Sequence, residues 1–237
     1  MNRIVSILCV VFAVVALGAG EASQPASAPA APGKILFLGN SITLHGPAPK
    51  IGWTGNWGMA ASAQDKDYVH LLTAALTSRN GDAPKVMVKN IATFERNYAT
   101  FDIDKQMEDA FGFGAELVIV AIGENVPKLD SETAKTQFAA SFGKLLSGLK
   151  KGSPSAKIIV RSCFWPSQAK DQILKQACQD VGGTFVDISG LAKDESNFAR
   201  SERSFDNKGV ANHPGDKGMR AIADAILAGV NSQQSRH

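Results

Sequence analysis

Four short segments of this 237-residue chain hold residue types suited to acyl transfer through a serine. The first, Gly39-Asn40-Ser41-Ile42-Thr43, directly follows an apolar run. A serine on a strand-to-loop turn is exposed at a sheet edge, and its own N–H can point at a developing oxyanion. The other use of such a serine is to cap a loop or helix. The spacing is not Gly-x-Ser-x-Gly, which excludes the usual nucleophile elbow. The second segment is Asn90-Ile91-Ala92-Thr93-Phe94-Glu95 and the third is Gly123-Glu124-Asn125. Asn125 offers either an amide donor at the same edge as Ser41 or an ordinary turn residue. The fourth is Asn212-His213-Pro214-Gly215-Asp216. Proline favours the first position of a helix, so His213 is held rigidly just before one. An ordinary pKa of ~6.5 suits it to general base work. Of the other histidines, His45 lies four residues past Ser41 in a long loop where it can line a site. His70 falls within a helical pattern as half-exposed packing, and His237 is terminal.

The elements that must position these groups alternate. Apolar runs at 34–38, 85–89, 117–122, 157–161 and 184–187 read as strands, several of them continuous Ile/Val/Leu as in strands buried on both faces. Helical patterns fall at 65–78, 103–111, 131–149, 169–180 and 215–230. In the third of these, Phe138, Phe142, Leu145, Leu146 and Leu149 lie along one helix face. Alternation predicts an α/β fold with a parallel sheet covered on both sides. In such sheets ligands bind beyond the carboxyl ends of the strands, where the first three segments lie. The fourth precedes the last helix. Neither an internal repeat nor a second domain boundary is found.

Gly-Asn-Ser-Ile after the first strand, Gly-x-Asn after the third and His-Pro before the last helix resemble three of the conserved blocks of the SGNH (GDSL-like) hydrolases, in order and spacing, over residues 34–232. The resemblance implies a flavodoxin-like three-layer sandwich with a five-stranded parallel sheet. It also implies ester hydrolysis through an acyl-serine, with Ser41 as nucleophile, Asn125 as oxyanion amide and His213 as base. Two positions depart from the family pattern. Its second-block glycine is Glu95, whose backbone N–H is retained as the expected third oxyanion donor beside the Ser41 N–H and Asn125. The acid three residues before the histidine is Val210. The alternatives are a Ser–His dyad, an imidazole oriented by Asp206, Asp216 or Glu124, or a backbone carbonyl that fixes the tautomer.

Composition bounds the remaining possibilities. A content of 44% hydrophobic and 20% charged residues is that of a globular protein, and a net charge of +3 without a basic run beyond Lys150-Lys151 excludes a nucleic-acid footprint. Arg3, the uncharged apolar stretch 4–19 and the small residues around Gly20-Glu21-Ala22 have the layout of a signal peptide over 1–22. The stretch is short for a membrane span, so a secreted or periplasmic protein without stable membrane insertion is expected. An Ala/Ser/Pro-rich linker at 23–33 leads to a single domain at 34–232 and a tail at 233–237. Cys163 at a strand end and Cys178 well into the next helix are too far apart for a disulfide. They are expected as free, buried thiols. No cluster has metal-ligand spacing, and no cofactor is expected. The loop 44–62 carries His45, Trp53 and Trp57; with Trp165 after the fourth strand, its tryptophans form either a platform for a sugar face or packing that holds the loop. The reading is therefore an exported esterase for a short acyl group on a small molecule or polysaccharide, such as an O-acetyl group. The alternatives are an inactive carbohydrate-binding or scaffold domain, an acyltransferase, or a nucleotide or flavin binder. The last is disfavoured because the first turn lacks a glycine-rich phosphate cradle.

Overall fold

The computed structural model describes residues 32–234. The expected signal peptide and nearly all of the expected linker lie outside the described residues.

Five strands, β1 (Lys34–Gly39), β2 (Lys85–Asn90), β3 (Leu117–Ala121), β4 (Lys157–Arg161) and β5 (Thr184–Val186), form one all-parallel sheet in the order β2-β1-β3-β4-β5. This is the flavodoxin-like order, with its switch point between β1 and β3. The helices are α1 (Tyr68–Asn80), α2 (Ala92–Asn97), α3 (Ile103–Gln106), α4 (Glu108–Gly112), α5 (Glu132–Gly152), α6 (Gln168–Asp180), α7 (Lys208–Ala211) and α8 (Asp216–Gln234). The strand period of two divides β1 between the faces. Ile35 and Phe37 pack with α1 and α8, whereas Leu36 and Leu38 pack with α5 and α6. Phe138, Phe142, Leu145, Leu146 and Leu149 are the buried stripe of α5.

Register is what assembles the site. Gly39 at the end of β1 pairs with Asn90 on one side and Ala121 on the other. The turns that leave β1, β2 and β3 therefore emerge side by side.

Departures from the predicted elements follow from packing. The helix expected over 103–111 is two short helices, because buried Met107, at φ −113° and ψ 10°, ends α3 and begins α4. The segment after β2 winds into α2, which buries Ala92, Phe94 and Glu95. α7 is also absent from the sequence reading and starts where the Asn207 side chain accepts a bond from Val210 N. α8 continues to Gln234, two residues into the expected tail. Cys163 and Cys178 are free and buried; burial pushes the Cys178 thiol up to about 11.

Gly123 has φ +125°, and a Cβ there would lie 2.4 Å from Cys163 Sγ. Gly182 has φ +69° but open space around it. Gly123→Ala should therefore cost about 2–4 kcal/mol in urea unfolding, strain plus overpacking, and Gly182→Ala only about 1–2 kcal/mol. Equal losses would show that the close approach to Cys163 contributes nothing.

Candidate active site

The β1 turn is tightly built. Asn40 O accepts bonds from Thr43 N and Leu44 N, and Asn40 Oδ1 accepts one from Ile42 N. A Cβ on Gly39 would sit 1.8 Å from Thr43 Oγ1, so only glycine lets the chain fold back this closely. Ser41 is thereby lifted to the sheet edge, half-buried, and no acceptor for its N–H is found among the described residues.

His213 arrives from the other end of the chain. Its N–H donates to Val210 O and its carbonyl accepts from Ala199 N. Glu202 accepts bonds from Asp216 N and Lys217 N, capping the start of α8 just beyond it. Ser41 Oγ lies 2.8 Å from His213 Nε2, and His213 Nδ1 lies 2.7 Å from Gly209 O. A carbonyl only accepts, so Nδ1 carries the proton and Nε2 presents its lone pair to the serine. The Trp165 ring meets the imidazole edge-on, at 5.5 Å between centroids and 89° between planes. Burial lowers the His213 pKa from its ordinary value, against the opposing effects of the Gly209 carbonyl and the Glu124 charge.

The imidazole partner is thus a main-chain carbonyl, and the three acids weighed for that place lie elsewhere. Glu124 is held by Arg161 Nη1 at 2.6 Å, Phe164 N at 2.8 Å and Asn40 Nδ2 at 2.7 Å. Asp216 accepts bonds from Ser62 N and Ser62 Oγ. Asp206 is exposed on the loop before α7.

Glu95 corrects a second expectation. Its N–H donates to Ile91 O within the first turn of α2 and is not left for an oxyanion. Its side chain instead runs inward. Glu95 Oε1 accepts bonds from Gly123 N at 2.6 Å, Asn125 N at 3.2 Å and Asn40 Nδ2 at 3.2 Å, and Oε2 accepts one from Asn125 Nδ2 at 2.8 Å. Burial, then the neighbouring Glu124 charge, pushes the Glu95 carboxyl up against the pull of these bonds. Burial also acts to raise Glu124, but Arg161 together with the bonds from Phe164 and Asn40 outweighs it and holds that carboxyl below the usual range. Asn125 is fixed by this clasp with one amide hydrogen on Glu95 and the second unassigned.

Ser41, His213 and Asn125 open into one cleft of about 290 Å³, which is also lined by His45, Asn90, Arg96 and Asn207. His45 therefore reaches the site. Trp53 and Trp57 do not line the cleft. Trp53 is buried, Trp57 is half-buried, and their rings meet edge-on at 5.6 Å; Trp53 Nε1 donates to His45 O and Trp57 Nε1 to Ala61 O. They hold the loop, and neither ring offers the cleft a platform for a sugar face. Trp165 contacts the base itself. A larger groove of about 1000 Å³ between α6 and β5 contains neither Ser41 nor His213. Among the described residues, no group of three or more His, Cys, Asp or Glu is placed to hold a metal ion, and no helix is long and apolar enough to cross a membrane.

Sequence reasoning missed Gly209, Arg161, Arg96 and the side chain of Glu95. Only Glu95 carried a signal: a carboxylate where the family pattern places glycine must find donors.

No curated protein sequence matches the chain. Among solved structures, a GDSL-like lipase candidate from Bacteroides uniformis is similar at 14% identity and TM-score 0.54, covering 84% of this chain and 95% of that one. A family two carbohydrate esterase from Cellvibrio japonicus is similar at 15% identity and TM-score 0.52, covering 88% of this chain and 63% of its own. An acetyl xylan esterase from the rumen bacterium Butyrivibrio proteoclasticus is similar at 13% identity and TM-score 0.53, covering 85% and 64%. This chain spans less than two thirds of each of those two esterases. Residues 37–221 match the model of the GDSL-like lipase/acylhydrolase family. With that match over most of its length, the chain belongs to the GDSL-like lipase/acylhydrolase family and is an ester hydrolase.

Proposed function

We propose that the protein is an exported serine esterase that removes a short acyl group, such as acetyl, from a carbohydrate. The observation that carries this reading is the relay Ser41 Oγ–His213 Nε2–His213 Nδ1–Gly209 O, at 2.8 and 2.7 Å. His213 takes the Ser41 proton as Oγ attacks the ester carbonyl. The Ser41 N–H and the second amide hydrogen of Asn125 stabilise the oxyanion. His213 then returns the proton to the departing alcohol, and water, activated by the same imidazole, releases the acyl group from Ser41. A cleft of about 290 Å³ is at the small end for ligand pockets, which favours a short acyl group. Two of the similar structures are carbohydrate esterases, which favours a sugar as the alcohol. The amino-terminal charge and apolar pattern favour export.

Ser41→Ala and His213→Ala should each abolish hydrolysis of 4-nitrophenyl acetate by the mature protein, and acyl-enzyme should be captured by mass spectrometry on Ser41 alone. An inert wild type that still binds glycans would instead favour an inactive binding domain. Asn125→Ala should lower kcat about 100- to 1000-fold; near-normal turnover would remove Asn125 from the oxyanion site.

The base works only when neutral, and its pKa lies below the ordinary value. The acid limb of kcat/KM should therefore have its midpoint below ~6.5. A midpoint above that value would mean that an acid, not a carbonyl, backs the imidazole.

Glu95→Ala strands the buried donors of Asn40, Gly123 and Asn125. It should cost about 3 kcal/mol or more in urea unfolding, with Glu95→Gln recovering part. A loss below about 1 kcal/mol would show that Glu95 does not hold these turns together.

A further inference from the structure

Most polar side chains that line the cleft are already engaged. Ser41 and His213 hold each other. Asn90 donates to Leu44 O and accepts from Ala92 N. Asn207 accepts from Val210 N, and the Asn125 amide is clasped by Glu95. Arg96 differs. It is exposed at the end of α2, lines the cleft, and has no ion-pair partner among the described residues. Its guanidinium makes a single long contact, Nη1 to Asn125 Oδ1 at 3.5 Å. Among the described residues, no Asp or Glu side chain lines the cleft, and the two carboxylates beneath it are taken up, Glu124 by Arg161 and Glu95 by four N–H groups. Among the described residues, Arg96 is thus a cation at the site with free donors and no ion-pair partner, beside the amide assigned to the oxyanion.

We propose that Arg96 determines specificity for an ester whose sugar carries a carboxylate close to the acylated hydroxyl, that is, an O-acylated uronate. This rests on the carbohydrate-esterase reading above. The guanidinium fork is planar and matches a carboxylate through two parallel bonds. Its contact with Asn125 puts the guanidinium, and so that carboxylate, beside the amide assigned to the oxyanion. A neutral acylated sugar would leave the fork without an anionic partner, whereas a uronate neutralises it. Recognition through one charged pair in an open cleft also makes the preference sensitive to salt.

The test compares O-acetylated polygalacturonate, its methyl-esterified form and a sulfated, O-acetylated neutral glycan as substrates of the mature protein, with 4-nitrophenyl acetate as the reference ester. The expected kcat/KM favours the free carboxylate over the methyl ester by about ten- to one-hundred-fold, the factor typical of a charge-assisted bond, and that preference shrinks as salt is raised. Arg96→Gln should collapse the ratio toward one, and Arg96→Lys should keep part of it, with unfolding midpoints near wild type because Arg96 is exposed. Equal rates on charged and methylated polymer would overturn the inference while the esterase reading stands, provided Ser41-dependent hydrolysis of 4-nitrophenyl acetate persists. It is also overturned if Arg96→Gln lowers both rates by one factor, which marks an oxyanion donor, or if the sulfated glycan is preferred to the uronate. Absence of Ser41-dependent turnover of any ester would remove the esterase reading, and this inference with it.

Discussion

Two carboxylates lie buried directly beneath the cleft, and the geometry above them depends on how each is satisfied. An unpaired buried charge costs several kcal/mol or shifts its pKa until it is neutral. Glu124 meets this constraint with the fully buried guanidinium of Arg161, and Glu95 meets it with N–H groups from the turns after β1 and β3. Asn40 bridges the pair, donating to both. The three turns that leave β1, β2 and β3 are therefore joined at one point behind the nucleophile. Their relative positions are set by hydrogen bonds to charge, which are shorter and stronger than neutral ones. Replacing the family glycine by Glu95 exchanges one function for another. The helix that brings the carboxylate in takes up the backbone N–H, and what the site gains is a rigid Asn125.

The imidazole that faces Ser41 is supported differently from one in a triad. A carboxylate behind an imidazole fixes its tautomer and also stabilises the imidazolium that forms during attack. The Gly209 carbonyl does the first and contributes less to the second. Burial adds to the cost of the cation and lowers the His213 pKa from its ordinary value. The charge of Glu124 acts in the opposite sense, favouring the imidazolium without touching it. Trp165 packs edge-on against the ring.

Much of this was legible from the sequence, for reasons that can be named. Strand positions follow from Ile/Val/Leu runs bounded by turn residues, and the carboxyl-end rule puts Ser41 and Asn125 on one edge. His213 followed from its proline. The parts that were not legible share a cause: they depend on main-chain atoms or on pairing at long range. The Gly209 carbonyl is invisible in a sequence, because every residue has one. Arg161 looked like the end of a strand, and nothing local indicates that it meets Glu124, 37 positions away. The N-cap residue of α2 is Ile91, which has no capping side chain; burial of Phe94 and Glu95 forms the helix, and propensity does not announce that.

The loop 44–62 ties the Ser41 turn to the helix that follows His213. It is anchored to both halves of the relay: Met59 N donates to Ser41 O, and Ser62 donates twice to Asp216 at the start of α8, three residues beyond His213. Gly58 N is fixed by buried Asp67, which also caps α1. Between these ties, buried Ala60 adopts φ +73°, a left-handed conformation that a non-glycine residue keeps only when its surroundings impose it. The Arg203 guanidinium donates to the Ala60 carbonyl and helps impose it. Asp216 therefore holds the serine loop against the histidine helix. If it turned toward the imidazole instead, Ser62 would lose both bonds. An acid placed there ties the Ser41 turn to the His213 segment from outside the relay, while the Gly209 carbonyl orients the ring within it.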